Sequence, residues 1–280
     1  MKDVGLREAL EQAARRTGKY PTMDLEQVRR LARDFGPVRE IEITALEMGI
    51  VPERYLRNLG TIGLEGQRKL LRASVAVVGL GGLGGYVTEA LARMGTGSLI
   101  LIDGDTFDEH NLNRQLLCRE TNLGVEKARS ARERVADINS AVTTVCHHQA
   151  LTRENLPRLL DGADVVVDAL DRLPTRLLLQ DGAGELGIPM VHGSIGGFLG
   201  QVMTIFPGDP GLHALYGSGE TLPEQGMEAT LGTPAATPMA VAAWEAQEVV
   251  KILSGRGELL RGRLLVMDME SATFQVLTLG

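Results

Sequence analysis

Apolar and polar positions follow two different rhythms along this chain, and the change comes at Ser74. Before Ser74, apolar residues recur at helical spacing in short segments separated by glycine and proline. This pattern predicts helices over residues 6–16, over 23–34 with Thr22 as the N-cap, and over 37–48 ending at Gly49. We expect a helical N-terminal extension over residues 1–52, followed by one main domain over residues 53–280.

After Ser74, short apolar runs alternate with helical patterns. The first unit is the strand, glycine-rich turn and helix of SVAVVGLGGLGGYVTEALARMGTG, and the strand SLILIDGD follows it. The alternation continues with helices over 124–138, 153–160 and 172–186, and with strands over 142–146, 163–170 and 189–192. Strands that alternate with helices predict a mostly parallel, doubly wound sheet.

The C-terminal third predicts a different arrangement. The segment GGFLGQVMTIFP alternates as a half-buried strand does, and RGRLLVMDME with TFQVLTL is typical of a closing hairpin, so we expect antiparallel strands here. Residues 207–233 are rich in glycine, proline and small polar residues, which predicts a long loop without helix or strand, suited to act as a lid. A long helix is predicted over 235–253.

Composition narrows the classes of function. A formal net charge of −7 on 280 residues, without clustered Lys and Arg, argues against nucleic acid and anionic lipid as partners. The charged N-terminal segment lacks a signal-peptide core and no uninterrupted apolar run could span a bilayer, so we expect a cytoplasmic protein without membrane contact. The two cysteines, Cys118 and Cys146, form no CxxC pair, and any metal must therefore have oxygen ligands.

The first βαβ unit carries a phosphate-binding turn. Gly79, Gly81 and Gly84 form GxGxxG between strand and helix, where the backbone can approach a nucleotide and the helix N-terminus favours phosphate. Asp103 ends the next strand and is placed to accept hydrogen bonds from ribose hydroxyls. These residues predict an adenosine-containing ligand, and a nicotinamide dehydrogenase would explain them equally well.

Residues further along favour ATP over a nicotinamide cofactor. Asn111, Arg114, Gln115 and Lys127 follow the ribose-binding strand, and a basic cluster of this kind stabilises the negative charge that develops on departing pyrophosphate. Asp171 follows the strand VVVD and reaches the carboxyl edge of the sheet, where ligands of open α/β folds bind. A carboxylate next to phosphates suits Mg²⁺, which needs few protein ligands.

Taken together, these motifs resemble those of the MoeB/ThiF/HesA family, relatives of the ubiquitin-activating enzymes, over roughly residues 53–280. The matching segments are RYLRNLG, GLGGLG, LIDGD, NLNRQ, LGVEKA, VVVDALD, GGFLGQV and AVAAWEAQEVVKILSG. The resemblance implies a Rossmann-like fold and an adenylyltransferase that uses ATP and Mg²⁺. The implied nucleotide-binding set is Gly79, Gly81, Gly82, Gly84, Asp103, Asp105, Asn111, Arg114, Gln115, Lys127 and Asp171, with Asp171 as the metal ligand.

The resemblance also implies a partner and an assembly. The substrate would be the C-terminal carboxylate of a ubiquitin-like sulfur-carrier protein ending in Gly-Gly, in molybdopterin, thiamin or related sulfur metabolism. Such a carboxylate is ionised at neutral pH, so no catalytic base is needed. Arg57 in RYLRN matches an arginine that the family passes to the phosphates of a neighbouring subunit, which implies a homodimer, although RYLRN also suits a solvated helix face.

Departures from the family pattern limit the prediction. Relatives often carry two CxxC pairs that hold zinc; this chain has none, so zinc is not expected. No cysteine occurs after residue 207, so adenylation would be the last step on this chain. Arg172 stands where relatives often have Asn, and either an added phosphate contact or a disturbed metal geometry would follow. The N-terminal helices suit padding of a dimer better than docking of a carrier.

Three other functions stay open on the sequence. A relative that activates a modified tRNA adenosine would share the fold, although the acidic charge counts against RNA. An NAD-dependent oxidoreductase would bind nicotinamide cofactor without ATP. A nucleotide-binding pseudo-enzyme would bind ATP and dock a carrier without turnover.

Overall fold

The computed structural model describes residues 2–16, 18–217 and 228–279, and it begins with a small helical unit. Its elements are α1 Lys2–Ala13, β1 Thr22–Met23, α2 Leu25–Phe35, α3 Val38–Glu47 and β2 Val51–Pro52. The predicted start of the second helix is wrong. Thr22 pairs with Val51 in a two-stranded parallel sheet, and Asp24 is the N-cap, because the side chains of Asp24 and Gln27 each accept the other's backbone N–H at 2.8 Å.

The main domain is built on one eight-stranded sheet. Its strands are β3 Ser74–Val78, β4 Ser98–Ile102, β5 Thr143–His147, β6 Val165–Asp168, β7 Met190–Gly196, β8 Leu199–Ile205, β9 Arg263–Asp268 and β10 Thr273–Thr278. The strand order is β5-β4-β3-β6-β7-β8-β9-β10, parallel from β5 to β7 and antiparallel from β7 to β10. The predicted mixed sheet is confirmed.

Helices cover both faces of the sheet. They are α4 Leu59–Arg72, α5 Gly84–Met94, α6 Lys127–Ile138, α7 Leu156–Leu159, α8 Leu173–Glu185, α9 Leu212–Tyr216, α10 Glu228–Leu231 and α11 Ala236–Ser254. Along β3, Val75 and Val77 face a core shared with α4, α5, α6 and α11, whereas Ala76 and Val78 face a core shared with α7, α8 and α9. This alternation makes the domain doubly wound, as the βαβ pattern predicts.

The segment over residues 207–233 is more regular than predicted. It contains α9 and α10, so the prediction of a loop without helix is wrong for those residues. Gln180 holds the start of α9, because its Nε2 donates to Pro210 O at 3.1 Å and its Oε1 accepts from Leu212 N at 2.7 Å. The centre of the predicted lid, residues 218–227, lies outside the described residues.

The N-terminal unit packs on the main domain rather than standing apart from it. One of its apolar clusters is its own, and a second, containing Ile43, Val51, Tyr55, Leu59 and Leu71, combines residues from both sides of the predicted boundary at 52/53. That boundary stays a prediction. Among the described residues, the helices lack the combination of length and apolar character that a membrane span requires.

Candidate functional site

The glycine turn after β3 lies at the point where the strand order reverses, with β4 on one side and β6 on the other. A Cβ at Gly79, whose φ is +90°, would lie 2.5 Å from Ala169 O, and a Cβ at Gly84 would lie 1.8 Å from Gly79 O. Glycine is therefore required at both positions by the protein's own packing. Added Cβ atoms at Gly81 and Gly82 would make only ordinary contacts, and a bare backbone there leaves room for a ligand to approach.

Asp103 fixes this turn from the end of β4. One carboxylate oxygen accepts from Leu80 N at 2.7 Å and the other accepts from Asp105 N at 2.8 Å. Burial raises the pKa of Asp103, and the charge of Lys127 and these two hydrogen bonds oppose the rise. Each oxygen keeps further acceptor capacity, so the carboxylate can hold the turn and also accept from a ligand hydroxyl.

Lys127 begins α6 and is almost entirely buried. Its Nζ donates to Asp105 Oδ2 at 2.9 Å, while the Asp105 side chain is largely exposed. An exposed carboxylate holds an ammonium weakly, because water competes for it. A phosphate oxygen could therefore take over this contact after a small movement of the lysine.

The segment after β4 carries three more predicted residues, and two of them lie beside the turn. Asn111 is buried and its Oδ1 accepts from the backbone N–H of Asp108 at 3.0 Å, closing a short 3-10 turn. Arg114 and Gln115 follow, and added Cβ atoms at Gly82 and Gly81 would lie 3.7 Å and 3.4 Å from their side chains. Arg114 and Gln115 therefore flank the glycine turn.

Gln115 has an unused acceptor. The side chain is buried, and its Oε1 has no hydrogen-bond partner among the described residues. A buried polar atom without a partner costs free energy, so such atoms mark positions where a ligand or water is expected. Arg114 is different, since its Nη1 donates to His110 O at 3.1 Å and to Asn113 Oδ1 at 2.9 Å.

Asp171 lies in the turn after β6, which packs against Gly79. Its side chain is exposed and makes no hydrogen bond or ion pair with the described residues. The described residues contain no group of three or more His, Cys, Asp or Glu arranged to hold a metal ion. A single carboxylate beside a phosphate site nevertheless fits Mg²⁺, which keeps several waters and takes phosphate oxygens as ligands.

Beneath that turn lies a buried polar cluster that the sequence analysis did not identify. Asp168 Oδ2 contacts His192 Nδ1 at 2.6 Å, and Arg176 donates to Leu170 O and to Gly193 O. Glu245 of α11 is fully buried against Gly193, and neither of its oxygens has a hydrogen-bond partner among the described residues. Burial raises the pKa of this carboxyl well above its usual range. The sequence held a signal for it, because Glu245 falls on the apolar face of α11.

Arg57, a predicted site residue, lies away from the glycine turn. Two residues before it, Tyr55 packs against Gly95, and the next residue, Asn58, bonds to Gln67. Gly95 ends α5 just before β4 begins, so this region lies at the amino edge of the sheet, opposite the glycine turn. Arg57 is exposed there, at the edge of the sheet away from the glycine turn of its own chain.

Comparisons with known proteins agree with this geometry. The profile of the ThiF family matches residues 55–280. The chain is 38% identical over 228 residues to a "SAMP-activating enzyme E1" of Haloferax volcanii, covering 80% of this chain and 83% of that protein. It is 39% identical over 232 residues to "Adenylyltransferase and sulfurtransferase MOCS3" of Aedes aegypti, covering 81% of this chain and 52% of that protein, so it spans about half the length of such relatives.

Solved structures share the fold at lower identity. Escherichia coli MccB in a crystal structure with ATP superposes with a TM-score of 0.72 at 22% identity, covering 81% of this chain and 72% of that chain. PaaA superposes with a TM-score of 0.67 at 22% identity, covering 81% and 73%. At this identity the likeness establishes the fold alone.

Proposed function

Because this chain belongs to the ThiF family, we propose that it uses ATP to adenylate the C-terminal carboxylate of a ubiquitin-like sulfur-carrier protein ending in Gly-Gly. The names of two relatives support this choice, since one is called a SAMP-activating E1 and the other an adenylyltransferase. The products are a carrier acyl-adenylate and pyrophosphate.

One observation carries the proposal: separate segments that carry polar side chains come together at a single glycine turn. Arg114 and Gln115 follow β4, Lys127 begins α6 and Asp171 follows β6, and each belongs to a segment that contacts the turn or Asp103. A dinucleotide site for hydride transfer does not need this combination of two cations and an exposed carboxylate. A triphosphate does, because charge must be neutralised along its length.

The chemistry follows from these groups. A carboxylate oxygen of the carrier forms a bond to the α-phosphorus while the bond from that phosphorus to the oxygen shared with the β-phosphate breaks, and this oxygen leaves as part of pyrophosphate. Arg114 and Lys127 stabilise the charge that collects on pyrophosphate, and the unused Oε1 of Gln115 accepts a hydrogen bond from the ligand or its water. No base is required, because C-terminal carboxyl groups titrate at about 3.3–3.7.

Asp171 would hold Mg²⁺ against the phosphates. The bound ion would supply positive charge and fix the phosphate geometry. Arg176 holds the backbone of this turn through Leu170 O, so the carboxylate extends from a fixed position.

We further propose that the enzyme works as a homodimer in which Arg57 of one subunit reaches the phosphates bound by the other. The position of Arg57 at the amino edge of its own sheet supports a role in trans, because no side chain spans the sheet from that edge.

Exchange of labelled pyrophosphate into ATP, with each carrier from the same genome that ends in Gly-Gly, tests the proposal. We expect carrier-dependent exchange that Asp171→Ala and Arg114→Ala abolish. Asp161→Ala and Arg132→Ala, exposed residues away from the glycine turn, serve as matched controls and should keep the wild-type rate.

The outcomes separate the alternatives. Exchange that survives both site substitutions would remove the assignment of the site. Nicotinamide binding without ATP binding would favour an oxidoreductase, exchange with tRNA in place of a carrier would favour the tRNA-modifying relatives, and ATP binding without turnover on any partner would favour a pseudo-enzyme.

A further inference from the structure

A buried polar network connects the N-terminal helices to the turn that carries Arg57. Glu42 of α3 has no exposed surface, and its Oε2 accepts a hydrogen bond from Tyr55 OH at 2.9 Å. Tyr55 is equally buried, and its hydroxyl accepts in turn from Asn139 Nδ2 at 3.0 Å. Asn139 follows the end of α6, so three separate elements meet at one phenol oxygen.

Asn139 and Arg54 complete the network. Asn139 Nδ2 also donates to Ala92 O at 3.0 Å, and its Oδ1 accepts from Ala141 N at 3.1 Å and from Arg54 Nη1. Arg54 Nε lies 3.4 Å from Glu42 Oε1, an ion pair whose alignment is too poor for a hydrogen bond, since that oxygen has no hydrogen-bond partner among the described residues. Arg54 is thus the cation that faces Glu42 inside the protein.

A second set of hydrogen bonds holds the chain on the other side of Arg57. Asn58 Nδ2 donates to Gln67 Oε1 at 2.8 Å, and the buried Gln67 donates to Met94 O at 2.8 Å. The network through Asn139 and the bonds through Gln67 therefore both end on backbone carbonyls in the last turn of α5, Ala92 O and Met94 O. Between them Arg57 is exposed and bonds to none of the described residues.

The buried polar network is an unfavourable way to stabilise this junction, which suggests that it has another role. Burying a carboxylate is unfavourable even when it is paired, and apolar side chains of similar volume would stabilise the same junction at least as well. A connected polar network, however, fixes geometry and limits alternative packing. A fixed backbone reduces the entropy lost when an exposed arginine binds a phosphate.

We propose that Glu42, Tyr55 and Asn139 are positioning residues that hold the turn carrying Arg57, so that the N-terminal helices of one subunit contribute to the phosphate site of the other. The inference rests on the proposed function, specifically on Arg57 acting in trans. It assigns a role to α3, which lies before the residues matched by the ThiF family.

Two heterodimers that carry the same substitutions in different arrangements test this proposal. They are made by co-expressing two affinity-tagged chains, with Arg114→Ala disabling one of the two sites. In the first heterodimer Tyr55→Phe is in the chain with the intact site; in the second it is in the chain that carries Arg114→Ala. Tyr55→Phe removes only the hydroxyl and keeps the buried ring.

In the first heterodimer the intact site receives Arg57 from a chain with an unaltered network, so we expect the exchange rate of a heterodimer that carries Arg114→Ala alone. In the second, Arg57 comes from the altered chain, and we expect a rate lower on the order of tenfold, the equivalent of one hydrogen bond. The opposite pattern, or equal rates, would overturn the proposal.

Three controls keep the result interpretable. Arg57→Ala in place of Tyr55→Phe should give the same dependence on arrangement. Thr204→Val removes another buried hydroxyl bond to a glutamate, Thr204 Oγ1 to Glu248 Oε2 at 2.5 Å, and should give none. ATP affinity, measured on the same heterodimers without carrier, should follow the same pattern; if exchange is missing from the wild type but this pattern is present, the proposed carrier fails and the positioning role stands.

Discussion

The two edges of the central sheet treat their polar groups differently. At the carboxyl edge, within the part of the chain that the structure describes, Gln115 Oε1 has no hydrogen-bond partner and the exposed Asp171 makes no hydrogen bond or ion pair. Lys127 is held there by an exposed carboxylate. At the amino edge, both side-chain atoms of Asn139 and the hydroxyl of Tyr55 are hydrogen-bonded within the protein. The carboxyl edge has hydrogen-bonding groups left for a ligand, whereas nearly all of those at the amino edge are bonded within the protein.

The degree of hydrogen bonding distinguishes a binding site from a structural network when both contain buried polar groups. Buried polar atoms that are satisfied stabilise one backbone arrangement, whereas unsatisfied atoms next to a glycine turn indicate where a partner is missing. Substitutions of polar side chains at the amino edge should therefore change stability first, and substitutions of polar side chains at the carboxyl edge should change ligand affinity first.

The largest effect is expected at the carboxyl edge, from Gly84→Ala. The added Cβ would lie 1.8 Å from Gly79 O, so the turn must rearrange, and we expect a loss of about 4 kcal/mol or more in unfolding free energy together with loss of ATP binding. Urea unfolding and ATP titration measure the two. Gly184→Ala in α8, where a Cβ meets nothing within 4 Å, is the control and should be neutral or stabilising by up to about 1 kcal/mol.

At the amino edge, Asn139→Ala should cost about 2–4 kcal/mol of unfolding free energy, because Tyr55 OH, Ala92 O and Ala141 N each lose a buried partner. Urea denaturation measures the loss. The matched control is Asn113→Ala, which removes an exposed bond from Asn113 Nδ2 to Thr233 O and should cost about 0.5 kcal/mol or less. Equal losses in the two variants would contradict the comparison.

The strands and the glycine turn of the carboxyl edge could be predicted from the sequence because they are built from local patterns. The glycine spacing, Asp103 at a strand end and the βαβ alternation each depend on residues close together in the chain, and topology then brings the strand ends to one edge. The family membership, the mixed sheet and the adenylyltransferase class are confirmed by the comparisons and the topology. The roles of the individual site residues, Mg²⁺ and the homodimer stay predictions.

The amino edge could not be predicted in the same way. Glu42 and Asn139 are 97 positions apart (139 − 42), and neither belongs to a motif, so nothing in the chain indicates that both contact Tyr55. The N-cap was missed for a local reason, since Asp24 with Gln27 three residues later is a capping box that the sequence does show. Long-range polar contacts can be identified only once the fold is known, whereas a helix cap is encoded by residues three positions apart.

Gln115→Leu should lower ATP affinity more than stability, the opposite of what we expect for Asn139→Ala. Removing a buried oxygen that has no partner costs little, so we expect unfolding free energy to stay within about 1 kcal/mol of the wild type. ATP affinity should fall about tenfold, equivalent to about 1.4 kcal/mol, because the ligand or its water loses a hydrogen-bond acceptor. A stability loss as large as that of Asn139→Ala, with unchanged ATP affinity, would show that Gln115 belongs to a structural network instead.

The most gradual effect concerns the pH dependence of stability at the amino edge, tested with Glu42→Gln. Burial raises the pKa of Glu42 above its ordinary value of 4.5, and the charge of Arg54 and the hydrogen bond from Tyr55 oppose the rise. The folded state therefore holds the proton more tightly than the unfolded state does. Its contribution to stability is complete below pH 4.5 and is lost as pH rises through the folded-state pKa.

Glutamine cannot titrate, so the unfolding free energy of the wild type, minus that of Glu42→Gln, should decrease as pH rises from about 4.5, by no more than about 1.4 kcal/mol per pH unit for one proton. Urea midpoints between pH 5 and pH 8, spanning about three units, measure the difference. Glu40→Gln, exposed on the same helix, is the control and should run parallel to the wild type. A difference that stays constant over this range would mean that the ion pair with Arg54 offsets burial, and the amino edge would then depend on a charged rather than a protonated Glu42.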